Sequence, residues 1–313
     1  MAHDVGQLVR SAAALLAAAG VESARTDAEL LLAHAAGMSR SDVVTAALLG
    51  RPLDVAGAAE AFDVLVARRA EREPLQHLVG SAPFRHLELE VGPGVFVPRP
   101  ETETVAQRAV DETVAVLART GAARVVDLCT GSGAIALAVA TEAPGCTVHA
   151  VELDAAALGW ARRNVERILG DQGPEPRLIV VRGDARRALS ELDGLCDVVV
   201  TNPPYVPPGA VPKDPEVALH DPGVALYGLG SDGLEVPRGV AAAAARLLRP
   251  GGLLVMEHAE VQAAAARAMI DDLRAFEPAT TGADLTGRPR MVVARRTVGS
   301  RADGPTNMED SRS

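Results

Sequence analysis

The run Asn202-Pro203-Pro204-Tyr205 carries the sharpest chemical signal in the chain. Two prolines stiffen the loop and remove two backbone N–H donors. What remains is rich in acceptors: the Asn202 side-chain oxygen and the Pro203 carbonyl. Such a pair can hold both hydrogens of an NH₂ group. Tyr205 adds an apolar face for a planar amide or ring. An isolated Asn-Pro pair would fit an ordinary turn closing a strand. This one follows the fourth strand of a sheet opened by Asp127-Leu128-Cys129-Thr130-Gly131-Ser132-Gly133, and that position favours the chemical reading.

The Asp127–Gly133 run lies where a strand hands over to its helix. In open α/β sheets, ligands bind beyond the carboxyl ends of the strands. Glycines there let the backbone approach a ligand without a Cβ clash. Alone the run is ambiguous, because Gly131-Ser132-Gly133-Ala134-Ile135-Ala136 also satisfies the dinucleotide pattern. Glu152 ends the second strand, 152 − 133 = 19 residues after Gly133. A carboxylate there can accept both hydroxyl hydrogens of a ribose, which fits NAD or any adenosyl ligand. Asp184 ends the third strand. It fits either a contact to an adenine amino group or a helix N-cap. Glu257-His258 ends the fifth strand and reads as structural, since no metal-ligand spacing accompanies it. Trp160 reads as core.

The elements that position these groups follow from periodicity. Residues 5–79 place apolar side chains at helical spacing, with Gly20 as a C-cap and Thr26/Glu29 as a capping box. Residues 81–100 alternate and read as a β-hairpin or extended linker with Pro93-Gly94 as its turn. Pro98 and Pro100 exclude a helix there, and a new one starts at Glu101. From Arg124 onward, strand runs (RVVDL, CTVHAVEL, RLIVVRG, CDVVVTN, GGLLVMEH, RMVVARR) alternate with helical ones. That alternation predicts a doubly wound, mostly parallel α/β sheet.

Composition narrows the function classes. The chain has 313 residues, 48% hydrophobic and 23% charged, with a formal net charge of −10. The acidic balance argues against a wholly basic nucleic-acid binder. Trp160, Tyr205, Tyr227 and four Phe are too few for a single-strand stacking platform. Of 31 cations only Lys213 is a lysine, which reads as codon bias rather than phosphate recognition. Cys129, Cys146 and Cys196 stand far apart and predict neither a disulfide framework nor a metal site. No apolar run reaches membrane-spanning length, and MAHDVGQLVR lacks a signal-peptide core. A cytoplasmic protein with no membrane association is expected.

Taken in order, DLCTGSGAIALAVA, AVELD, RGD and TNPPY resemble class I S-adenosylmethionine-dependent methyltransferases of the amino-methylating type. VGPGVFVPRPETE, the helical N-terminal region and GRPRMVVARR narrow the resemblance to the HemK/PrmC family, over residues 73–296. The resemblance implies a seven-stranded class I methyltransferase sheet over residues 101–296. Before it would come a helical substrate-recognition domain (1–80) and a β-hairpin linker (81–100), with a disordered tail (297–313) at the end. It implies methyl transfer from S-adenosyl-L-methionine to the glutamine amide of the GGQ motif in class 1 peptide chain release factors. A monomer without a metal or a direct nucleic-acid substrate is expected.

Carried onto this sequence, the family pattern assigns cofactor contacts to Asp127, Cys129, Thr130, Gly131, Ser132, Gly133, Glu152, Asp184 and Asn202. It assigns catalysis to Asn202, Pro203 and Tyr205, and substrate binding to these with Pro204. Arg99, Glu101 and Glu103 either organise the hairpin edge of the site or form a surface ion network. Cys129 departs from the glycine most of the family has there, and needs a permissive backbone angle. Ala185 replaces an aromatic that can pack on adenine.

DLCTGSG also occurs in the sister family that methylates a glutamine of ribosomal protein uL3, so that substrate stays open. An NAD(P)-dependent oxidoreductase would explain the glycines and Glu152 but leave Asn202–Tyr205 idle. A non-catalytic ribosome or release-factor binding module would tolerate change at Asn202. A DNA amino-methylating enzyme is disfavoured by the acidic balance and the lack of a basic domain.

Overall fold

A computed structural model describes residues 4–298, so the expected tail beyond Val298 lies outside the described residues. Five helices come first: α1 (Val5–Ala18), α2 (Ala24–Ala36), α3 (Arg40–Leu48), α4 (Ala58–Ala70) and α5 (Leu75–Val79). Their apolar stripes bury Leu16, Leu31, Leu32 and Phe62 in a core of their own. Asp4 caps α1 by accepting from Gln7 N at 2.7 Å. Helix α2 starts before the anticipated Thr26 cap, with Ser23 as N-cap. Glu29 closes no capping box; it binds Arg25 and Arg40 at 3.0 and 2.8 Å instead.

The hairpin pairs β1 (Ser81–Phe84) with β2 (Leu87–Glu90), Phe84 facing Leu87. Its turn is therefore Arg85-His86, not Pro93-Gly94. Arg85 sits at a left-handed φ of 54°. Its guanidinium is held there by Glu142 at 2.7 and 2.6 Å, and its backbone N–H by the Glu103 carboxylate at 3.0 Å. Those charge-assisted bonds offset a backbone angle that turn chemistry normally reserves for Gly, Asn or Asp. The Pro93 carbonyl instead accepts from the Trp160 ring N–H at 3.2 Å.

After α6 (Thr102–Thr120) come β3 (Ala123–Leu128), α7 (Ala134–Glu142), β4 (Cys146–Glu152), α8 (Ala155–Leu169), β5 (Leu178–Arg182) and β6 (Cys196–Thr201). The short helices α9 (Pro215–His220) and α10 (Gly223–Leu226) precede α11 (Glu235–Leu247) and β7 (Leu248–Glu257). Helix α12 (Ala263–Asp272), β8 (Thr280–Ala283) and β9 (Pro289–Arg295) complete the fold. The seven-stranded sheet has the order β5-β4-β3-β6-β7-β9-β8. Strands β3 to β7 run parallel, and β9 is antiparallel to both its neighbours. Val125, Val126, Val148, Val199, Leu254 and Val255 are fully buried, as expected for strands covered on both faces.

Register fixes the site. Leu128 lies opposite both Val151 and Thr201, and Thr201 lies opposite Met256. The carboxyl ends of four central strands therefore finish together. The strand order reverses between β3 and β6, the switch point where such sheets open a crevice.

A buried ion cluster joins the helical region to α9. Arg69 donates to Asp27 at 2.8 Å and to Glu216 at 2.6 Å, and Arg72 donates to both Glu216 oxygens at 2.9 and 2.7 Å. At the far end, Thr297 donates its backbone N–H to Ala275 O at 3.0 Å. Among the described residues, no helix is long and apolar enough to cross a membrane.

Candidate active site

At the end of β3 the chain must turn sharply into α7. Asp127, fully buried, drives the turn. Its Oδ2 accepts from Thr130 Oγ1 at 2.6 Å and from Ala136 N at 3.1 Å. Burial pushes the Asp127 carboxyl up to about 7. Cys129 adopts φ 63°, the permissive left-handed angle a residue at this turn needs, and Gly131 and Gly133 follow at 58° and 86°. Burial also raises the Cys129 thiol, so it stays protonated and inert.

Glu152 closes the loop from the next strand. One oxygen accepts from Gly131 N at 2.8 Å and the other from Asp154 N at 2.9 Å. Each keeps a lone pair free, and burial raises the carboxyl above its ordinary value. Asp184 accepts from Arg186 N at 3.0 Å, so it caps its turn and faces the cavity at once. The Arg186 guanidinium beside it lowers its carboxyl.

Asn202 and Tyr205 occupy the other end. Asn202 Nδ2 donates to Thr102 Oγ1 at 3.4 Å. The Tyr205 hydroxyl donates to Glu257 at 3.3 Å, and burial raises the phenol above its ordinary value. Between the two ends lies a cavity of about 700 Å³. Thr130, Gly131, Ser132, Glu152 and Asp184 line one end; Asn202, Pro204 and Tyr205 line the other. Cys129 and Ala185 also reach its wall. Asp127, Gly133 and Pro203 do not: Asp127 braces Thr130, Gly133 N donates to Thr130 O at 2.9 Å, and Pro203 is buried. Arg99 lines the cavity and pairs with the buried Asp221 at 2.8 Å, while Glu103 supports the hairpin turn outside it.

Sequence reasoning missed three contributors and read a fourth, Glu257, only as structural. Thr102 and Glu257 anchor the side chains of Asn202 and Tyr205. Gln262 Nε2 donates to Tyr205 O at 2.9 Å and to Asp232 O at 3.1 Å. Residues 206–234 form the outer wall, with Val211, Val217, Leu226 and Tyr227 facing the cavity. They close on the Asn202–Tyr205 loop at Gly228, where a Cβ would stand 2.6 Å from Pro204 O. The carboxylate at the sheet's carboxyl edge was the one available signal for Glu257. The site thus combines a cradle of backbone and carboxylate groups with an amide-bearing, proline-stiffened loop. Among the described residues, no cluster of His, Cys, Asp or Glu could hold a metal ion.

The parallel sheet with an antiparallel β9 and a cavity at its switch point defines a class I methyltransferase. The catalytic domain of hMettl16, solved with an RNA hairpin of the MAT2A 3'UTR, shares the fold at a TM-score of 0.50 and 15% identity, over 77% of this chain and 84% of that one. Residues 7–80 match the PrmC N-terminal domain, and residues 102–215 match the methyltransferase small domain. A release factor glutamine methyltransferase of Bifidobacterium longum is 44% identical over 299 residues, which covers 93% of this chain and 99% of the relative. The 4-amino-L-phenylalanine/4-methylamino-L-phenylalanine methyltransferase of Streptomyces pristinaespiralis is 41% identical over 86% of this chain and 87% of its own length. The chain belongs to the release factor glutamine methyltransferase family.

Proposed function

We propose that the protein transfers a methyl group from S-adenosylmethionine to the glutamine side-chain nitrogen in the GGQ motif of class 1 peptide chain release factors. One observation carries the reading: a single cavity joins the Thr130–Ser132 and Glu152 cradle to Asn202 and Tyr205. The residues fit the donor. A Cβ at Gly131 would meet nothing within 4 Å, so the backbone there opens on free space. Glu152 keeps lone pairs for two ribose hydroxyls.

The bound donor would supply an electrophilic methyl on a cationic sulfur. The rest falls to the chain. An amide nitrogen is a poor nucleophile, because its lone pair is delocalised into the carbonyl. Asn202 Oδ1 would take one N–H hydrogen and the Pro203 carbonyl the other, turning the nitrogen lone pair toward the methyl. Pro203 lies behind the cavity wall, so seating the substrate has to draw that carbonyl forward. Tyr205 would pack on the amide plane. The apolar outer wall would keep water out while charge disappears from the sulfur. No strong base is required; the nitrogen sheds its proton after transfer. This is positioning with electrostatic support.

Incubation with labelled S-adenosylmethionine and purified release factor, followed by mass spectrometry, should find the methyl on the GGQ glutamine. Ribosomal protein uL3 and 4-amino-L-phenylalanine run in parallel, and label on either of these alone would overturn the reading. Asn202→Ala should lower turnover about hundredfold and leave S-adenosylhomocysteine binding nearly unchanged.

A further inference from the structure

Glu257 has no part in the mechanism above, yet it is only 2% exposed and ends β7 beside the site. Burying a carboxyl group is costly unless its oxygens are partnered. Oε1 accepts from the Tyr205 hydroxyl at 3.3 Å, and Oε2 has no hydrogen-bond partner. The Thr102 hydroxyl, on the same cavity wall as Tyr205, is an unused donor. Thr102 Oγ1 already accepts from Asn202 Nδ2, so its own hydrogen is free for another acceptor. Its pull on Glu257 opposes the effect of burial on that carboxyl.

We infer that Glu257 is a positioning residue that sets the orientation of both Asn202 and Tyr205, the first through Thr102 and the second directly. The role rests on the cavity being the glutamine-methylating site proposed above. Its logic is one of hydrogen-bond direction. An ionised carboxylate only accepts. It therefore takes the hydrogen of Tyr205 at Oε1 and offers Oε2 to that of Thr102. With its hydrogen committed, Thr102 accepts from Asn202, which points Nδ2 inward and leaves Oδ1 for the cavity. Were Thr102 to donate to Asn202 instead, the amide would turn round. It would then present N–H groups to an incoming NH₂ group, donor against donor. Protonated Glu257 carries a hydrogen of its own and reverses one of the two links.

The group titrates in an accessible range. Burial raises the Glu257 carboxyl to about 7, helped by Glu101 at the head of α6 and opposed by Arg290 of β9 and the Tyr205 and Thr102 hydroxyls. The adjacent His258 is held neutral by burial, and its Nδ1 lies 2.8 Å from Ala259 O. Turnover should accordingly fall as the pH drops below about 7.

The test uses the full chain. Glu257→Gln should lower kcat at least about tenfold, leave KM for S-adenosylmethionine unchanged, and erase the rise in kcat near neutral pH. Thr102→Val, which spares the buried acid, should reproduce the loss, and Thr102→Ser should restore it. An activity-independent readout comes from the tyrosines, of which the chain has two. In a Tyr227→Phe background, the ¹³Cζ resonance of Tyr205 should titrate near neutral pH and cease to do so after Glu257→Gln. A neutral-pH limb that survives Glu257→Gln, or a Tyr205 resonance that does not titrate, overturns the inference. Titration of Tyr205 without methylation of any substrate refutes the proposed function instead, and leaves the Glu257–Tyr205 link standing.

Discussion

Replacing Arg69 with methionine would test whether the helical region is locked to the cavity wall. Arg69 is 7% exposed at its side chain, against 4% for Asp27 and 10% for Glu216. Removing one partner of a buried ion pair costs roughly 3–5 kcal/mol, because the remaining charge is left without compensation. Here two carboxylates lose the guanidinium, but neither is left bare. Glu216 keeps Arg72 at 2.9 and 2.7 Å, and Asp27 keeps the Ser23 hydroxyl at 2.7 Å. Methionine also refills the space of the arginine stem. The low end applies, about 3 kcal/mol, or roughly 6–12 °C in Tm. Circular dichroism melts and urea titrations would measure it. Replacing Asp27, Arg69, Arg72 and Glu216 together with apolar residues of similar volume should recover most of the loss, since none of the four charges is then left buried without its partner. A loss below about 1 kcal/mol, the worth of an exposed pair, would refute the assignment of a buried lock. Val217, next to Glu216, lines the cavity. The single variant should therefore also raise KM for the protein substrate without changing S-adenosylhomocysteine affinity.

Two further outcomes follow from the β3–α7 turn. Cys129→Gly should stabilise the protein by up to about 1 kcal/mol in urea titrations, because it relieves a left-handed φ of 63° on a residue with a Cβ. Activity should persist, since the protonated thiol contributes no nucleophile, and a net loss of stability would show that thiol packing outweighs the backbone. Asp127→Asn should change the pH dependence of Tm. The Asp127 carboxyl rises from 3.8 to about 7 on folding, so the native state holds the proton more tightly than the unfolded chain. Wild-type stability from this group is therefore lost as pH rises between those values. The variant should gain on wild type as the pH rises from about 4 to about 7, and a constant gap in Tm across that range would show that Asp127 does not titrate there.

Much of the site was legible because it is local. β-Branched runs marked β3, β4, β5 and β6, and the glycines and prolines at their ends marked the loops. Asp127, Glu152 and Asn202 could thus be assigned to strand ends before their geometry was known. What escaped was non-local or atypical. Tyr205 meets Glu257 across 52 residues, and Arg69 meets Glu216 across 147. Neither spacing leaves a periodic trace. The hairpin turn was misplaced because Arg85 adopts a glycine-like angle through ion pairs to residues far along the chain. Strand β8 was invisible because Thr280–Ala283 is a half-exposed edge without an apolar pattern. Helices α9 and α10 are too short for periodicity to show.

The outer wall ties the helical region to the cavity. Residues 206–234 are tied down on both sides. Toward the helices, Glu216 binds Arg69 and Arg72; toward the linker, Asp221 binds Arg99. Toward the chemistry, Val206 N donates to Leu226 O at 2.8 Å, and Gln262 bridges Tyr205 O and Asp232 O. A flexible tether would let α1–α5 shift without consequence for the cavity. Short, buried, charge-assisted bonds do not, because stretching them exposes an unpaired charge inside the protein. Displacing the helices must therefore drag Glu216, and with it Val217 and the wall that packs against Pro204 and Tyr205. In this fold, one segment braces both the helical region and the Asn202–Tyr205 loop.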